Sequence, residues 1–334
     1  YISCEVILFL SMSNIFEKNS SPFTPLVASC ILSGTVGIFV KGIKDMDAGS
    51  ILFYRLFFGF AVILVYLMFF SGIKDLKLRE RKSYLFLLGI LNAVTTFSYF
   101  SAIKYTSISE AVLLLYTAPI YVTLLSPLLL KERISFKDMF ALILSISGIL
   151  LAVNPSGLMW SETGEKNYTL GILFGLLSGL SYGCSIIVIS YLKENYSTIE
   201  QMFWSTAICL LLFLPFGISV SGAVIFENLY ILISLGVLVT AFASFLYLRG
   251  ISRIKAQTAA VISLLEPLSS ICFCCILLGE PVHKNTIEGC LFILGGAALI
   301  SCDFPKLSKI LKGHFQGVWA KFFQPYMPLR PGKL

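Results

Sequence analysis

The sequence predicts an all-α integral membrane protein, with ten transmembrane helices arranged as two inverted five-helix repeats. Three observations carry that prediction. Of 334 residues, 57% are hydrophobic and only 13% charged, where a soluble domain carries about 25% charged residues. Apolar runs near the ~20 residues that cross a bilayer recur along the whole chain. Finally, one helix is written twice. "EAVLLLYTAPIYVTLLSPLLLKE" (110–132) returns 148 residues later as "TAAVISLLEPLSSICFCCILLGE" (258–280).

The elements follow in order. Residues 1–24 form an N-terminal segment. "YISCEVILFLS" is too short to span and lacks the basic start and cleavage site of a signal peptide. The polar stretch opening at Met12 reads as the expected native start, which leaves 1–11 outside the native chain. The first repeat, 25–153, holds expected spans near 25–42, 49–71, 84–103, 108–130 and 138–153. An extracytoplasmic loop covers 154–169. The second repeat, 170–302, holds spans near 170–191, 201–219, 229–248, 257–278 and 286–302. Residues 303–334 form a basic cytoplasmic tail. No run alternates in the manner of a barrel wall.

Orientation comes from the cations. With both termini in the cytoplasm, inner segments carry nineteen Lys and Arg residues and outer segments five, while Arg55 lies within a span. Positive charge collects on the inner face of membrane proteins, so the net charge of +7 reports topology rather than a nucleic-acid surface. The expected location is the cell membrane, crossed many times.

The echo has a direction. An offset of 148 pairs Tyr99 with Tyr247, Ile103 with Ile251, Ala111 with Ala259, Pro119 with Pro267, Glu132 with Glu280 and Gly148 with Gly296, without a gap. Five spans separate the copies, so the second runs oppositely through the bilayer. The flanking charges agree: "KERISFK" after the first copy is basic, whereas "GEPVHKN" after the second is nearly neutral. Inverted repeats are a recurring transporter architecture, with the site near the midplane between the halves.

Several residues stand out against this apolar background. Glu266 sits beside Pro267 near the centre of the ninth span. A carboxylate there costs at least ~2.5–3.5 kcal/mol unless it is paired, hydrated or protonated. It suits a substrate ammonium or a coupled proton, or it is a protonated group that only bonds between helices. Arg55, about two turns into the second span, suits a carboxylate or phosphate, pairs with Glu110, or snorkels to the headgroups. Asn92, Thr95 and Tyr99 share one face of the third span. Tyr116, Tyr182, Trp204 and Tyr247 add aromatic lining on four other spans, with Gln201 the weakest candidate. Pro119 and Pro267 are expected to kink the fourth and ninth spans, freeing the carbonyls of Leu115 and Ser263, and to serve in gating. Gly171, Gly175, Gly179 and Gly183 make one smooth face for close helix packing.

Together these features resemble the EamA-type branch of the drug/metabolite transporter superfamily. The resemblance rests on "YFSAIKYTSISEAVLLLYTAPIYVTLLSPLLLKERIS", its partner "LEPLSSICFCCILLGEPV", and "YRLFFG" in the second span, and covers about residues 24–302. It implies a carrier of small metabolites: amino acids, related compounds or toxic organic molecules.

The expected function is therefore secondary transport by alternating access. A sensor or scaffold without transport is the alternative, and an intramembrane enzyme a weaker one. The only histidines, His283 and His314, lie outside the spans, and neither HExxH nor a Walker motif occurs. No catalytic residue, metal or cofactor is expected; the cluster Cys272, Cys274 and Cys275 lacks zinc-site spacing. The expected partners are a small-molecule substrate and the lipid bilayer, not nucleic acid. A homodimer is the assembly left open.

Overall fold

The computed structural model describes residues 21–71, 76, 78–106, 108–153, 166–278 and 284–301. The expectations on residues 1–11, most of the 154–169 loop, and the tail fall outside them, as do the side chains of Glu110 and Cys274. Among the described residues every regular element is helical. Six helices are long and apolar enough to cross a membrane: Ala48–Phe69, Lys82–Tyr105, Tyr168–Leu192, Thr198–Ile218, Gly222–Arg253 and Ala256–Leu277. Shorter apolar helices accompany them at Thr24–Val40, Ala118–Leu129 and Ile287–Ala297.

In finer detail the chain runs α1 (Thr24–Ser33), α2 (Val36–Gly42), α3 (Ala48–Tyr66), α4 (Lys82–Tyr105), α5 (Ile108–Leu115), α6 (Ala118–Leu129) and α7 (Phe136–Val153). It continues with α8 (Lys166–Leu192), α9 (Thr198–Ile218), α10 (Gly222–Ser234), α11 (Ser244–Arg253), α12 (Ala256–Ser263), α13 (Leu265–Leu278) and α14 (Lys284–Ser301). A π-helical stretch, Leu235–Ala243, joins α10 to α11 without a break. Starts are set by capping side chains. Asp47 accepts from the Ser50 N–H at the head of α3. Ser197 and Glu200 form a reciprocal capping box at the head of α9.

Prolines act differently from the expected kink. Pro119 lies in the first turn of a new helix, α6, after α5 has already ended at Leu115. That position needs no N–H from the ring, so a full break is cheaper than a bend. At the break the Thr117 hydroxyl donates to the Leu114 carbonyl at 2.6 Å. The candidate span Ala256–Leu277 breaks likewise at Leu264, between α12 and α13, two residues before Glu266. The first span is also split, at Gly34–Thr35.

Packing between helices is closest along α4 with α8 and along α7 with α14. The glycine face of α8 admits a further neighbour, the broken segment α5–α6: a Cβ at Gly171, Gly175, Gly179 or Gly183 would run into the chain between Tyr105 and Tyr121. Gly59 and Gly236 play the same part between α3 and the π-helix. The largest buried cluster draws on the starts of α1, α4, α9 and α12 and the ends of α8 and α11. It includes Leu26, Leu85, Leu88, Met202, Leu192, Leu246, Ile251 and Ala256. Conversely, Phe136, Phe226, Ile276, Leu128 and Phe69 are largely exposed. An apolar bundle with an apolar outside is what a lipid solvent permits.

Candidate functional site

Broken helices place polar groups inside an apolar bundle, because each break ends backbone pairing that neighbours must replace. The break at Leu264 presents Ser263 and Glu266 on its two sides. Ser263 donates back to the Ala259 carbonyl at 2.9 Å. Tyr247 donates to the Tyr182 hydroxyl on α8 at 3.0 Å. Their rings stack, with centroids 6.4 Å apart. From α1, the Cys30 thiol reaches the Ile262 carbonyl at 3.6 Å. Gly34, at the break of the first span, lies against Ser269 and Ser270 of α13.

Glu266 is the electrostatic centre of this region. It acts on Arg55 of α3, Tyr99 of α4, Tyr116 at the break of the fourth span, and Tyr182 and Tyr247. Five of the other eight expected substrate-binding residues, Arg55, Tyr99, Tyr116, Tyr182 and Tyr247, therefore lie within electrostatic reach of Glu266. Arg55 belongs to the first half of the chain and Glu266 to the second. Although the two charges feel each other, no ion pair joins them among the described residues. The Arg55 Nε is buried without a hydrogen-bond partner. The Arg55 backbone lies at the close approach of α3 to Gly236 in the π-helix, an irregularity often found at functional sites.

The other three behave differently. The Thr95 hydroxyl is spent on the Leu91 carbonyl, one turn back in α4, at 2.8 Å. Asn92 lies two turns from Tyr99 and is half-buried. Trp204 packs its ring against Phe203 and Phe86, at centroid distances of 5.3 and 5.9 Å, and its indole N–H is buried without a partner. Gln201 is fully buried and donates to the Tyr196 carbonyl at 3.2 Å.

Sequence reasoning missed Cys30, Gly34 and the Ser126–Gln257 pair. Gln257 Nε2 donates to the Ser126 hydroxyl at 2.7 Å. Gln257 is 148 residues beyond Ser109, so the echo does not flag it as a match. Its polarity in the first turn of an otherwise apolar helix was the available signal.

A family model described as the EamA-like transporter family matches this chain twice, over residues 24–154 and 169–302. The chain belongs to the EamA-like transporter family. A protein of Archaeoglobus fulgidus named an uncharacterized transporter is 31% identical over 276 residues, covering 82% of this chain and 94% of its own. The Salmonella typhimurium protein named uncharacterized inner membrane transporter YicL is 27% identical over 294 residues, covering 83% and 94% respectively. One crystal structure shares the fold, with a TM-score of 0.70 at 18% identity, covering 85% of this chain and 98% of that one. This EamA-family chain is thus a multi-pass membrane protein of the transporter class.

Proposed function

We propose that the chain is a secondary transporter that moves a small metabolite by alternating access around the Glu266–Arg55 site. The observation that carries this reading is the buried Arg55 Nε of one half, without a hydrogen-bond partner, within electrostatic reach of Glu266 in the other half, with no ion pair between them among the described residues. Burying either charge alone is expensive. Both would be repaid by one zwitterionic guest, whose carboxylate meets Arg55 and whose ammonium meets Glu266. The tyrosines around them would pack on its apolar body. Amino acids, related compounds and toxic organic molecules are the substrate classes proposed, with Glu266 also the candidate proton carrier.

Ten spans in two inverted repeats are supported by how the helices pair. Contacts of α4 with α8 mirror those of α11 with α1, and contacts of α5 and α6 with α8 mirror those of α12 and α13 with α1. One contact breaks the mirror. The half-helices α6 and α12 pack together, held by Ser126–Gln257 and by the Glu132 carboxylate accepting from the Ala256 N–H at 3.2 Å. The image pair, α5 with α13, has no comparable contact among the described residues. The closed end coincides with the largest buried cluster and, by the cation distribution, with the cytoplasmic face. This is the arrangement of an inner-closed state. Gly171 to Gly183 and the breaks beside Pro119 and Pro267 are the surfaces on which the halves would shift.

The test is direct. A thermal-shift screen of metabolites identifies ligands, since binding the folded state raises its stability. Uptake of a hit into sealed vesicles containing the purified protein then supports transport. Binding without uptake or exchange would favour a sensor.

A further inference from the structure

Away from the central site, a cavity of about 420 Å³ opens where the ends of α6, α8 and α11 meet the start of α12. Phe23, Glu132, Lys193, Arg253, Lys255 and Thr258 line it. Lys193, Arg253 and Lys255 are all exposed, and none is in an ion pair among the described residues. The single acid, Glu132, is already engaged by the Ala256 N–H and lies within electrostatic reach of Lys193 and Lys255. Three cations against one committed carboxylate leave a surplus of positive charge around a recess. The transport reading uses the Glu132 bond but none of these three cations.

We infer that this recess binds the phosphodiester headgroup of an anionic membrane lipid. A phosphate-bearing anion is the chemistry that three converging cations recognise. Two features select a lipid over free phosphate. The chain leaving Glu132 exposes Ile134 at 40% and Phe136 at 98%, which sets this rim at the lipid boundary, and Phe23 gives the recess an apolar wall. Basic pockets between transmembrane helices on the cytoplasmic side are established headgroup sites in general. An occupant would tie the end of α6 to the α11–α12 turn, across the contact that closes the inner end. Naming the leaflet rests on the orientation proposed above; the binding itself does not depend on transport.

The experiment is native mass spectrometry of the full chain in detergent, titrated with phosphatidylglycerol or phosphatidylcholine. Wild type should bind phosphatidylglycerol in preference to phosphatidylcholine. The triple variant Lys193→Gln, Arg253→Gln, Lys255→Gln should bind it at least about tenfold more weakly, from ~1 kcal/mol per basic residue discounted for exposure. A second triple variant, Lys306→Gln, Lys309→Gln, Lys312→Gln, removes the same charge from the tail and should bind as wild type. All six lysine and arginine changes are monitored by melting temperature, so a folding defect is seen separately. Equal binding by the recess variant, equal loss in the tail variant, or no preference over phosphatidylcholine would overturn the site. Inorganic phosphate competing at the same concentration as the lipid would overturn the lipid as its source.

Discussion

Gly179→Ala adds one methyl group where α8 crosses the break between α5 and α6. Two opposed effects decide its sign. In an open helix interior, Ala is favoured over Gly by about 1 kcal/mol. Here the new Cβ would lie 2.5 Å from the Leu114 carbonyl oxygen and 2.5 Å from the Thr117 hydroxyl. Neither retreats cheaply, since one is backbone and the other is hydrogen-bonded to it. Overpacking of this kind costs about 1–3 kcal/mol, and loss of the Thr117 bond adds about 1 kcal/mol. The net effect is destabilising by roughly 1–3 kcal/mol, or a melting temperature lower by roughly 1.5–4 °C for a chain of 334 residues. Gly222→Ala is the control, because nothing lies within 4 Å of a Cβ there. Tryptophan-fluorescence melting in detergent reads both. A Gly179→Ala protein that melts at or above wild type would refute the close approach of α8 to the break.

Three further outcomes follow from the same contacts. Gln257→Ala leaves the buried Ser126 hydroxyl unpaired, a cost of about 1–3 kcal/mol. An unchanged melting temperature would remove this bond from the closing contact. Glu132 has its carboxyl held above 4.5, mainly by burial. The folded state therefore binds this proton more readily than the unfolded state, and its contribution to stability grows as pH falls through that raised value. Comparing wild type with Glu132→Gln, melting between pH 7 and pH 4 should show wild type gaining on the variant toward low pH; parallel curves would contradict it. Finally, labelling from outside should reach cysteines in the 154–169 loop but not at 131–137, and the reverse pattern would invert the orientation.

The apolar composition made the all-helical membrane class legible, because it is written in residue types rather than contacts. Helix interruptions were legible only where proline marked them. Pro119 and Pro267 flagged their spans, but a bend was expected where the chain breaks outright, since their place in the first turns of α6 and α13 depends on where the preceding helix stops. The Gly34–Thr35 break carries no proline and is seated by Ser269 and Ser270 from far along the chain. The π-helix is hidden for a similar reason: Leu235–Ala243 is apolar throughout, so no periodicity separates π from α. At the site, charge inside an apolar run was enough to single out Glu266 and Arg55. That they come within electrostatic reach of each other, and that Tyr182 bonds Tyr247, is set by the packing of different helices. Trp204 looked like lining for the same reason as the tyrosines, yet its aromatic neighbours are Phe86 and Phe203.

The central claim is that Glu266 carries substrate or proton between the two halves. Its most direct measurement is uptake and counterflow of a screened ligand in proteoliposomes against pH, for wild type and Glu266→Gln at matched protein levels. Loss of one charge-assisted hydrogen bond is worth about 1.5–3 kcal/mol, which is roughly tenfold to 100-fold in affinity. The account predicts that Glu266→Gln folds, and that it loses uptake by that factor or loses its pH dependence while still exchanging. Uptake, exchange and pH dependence all equal to wild type would contradict it.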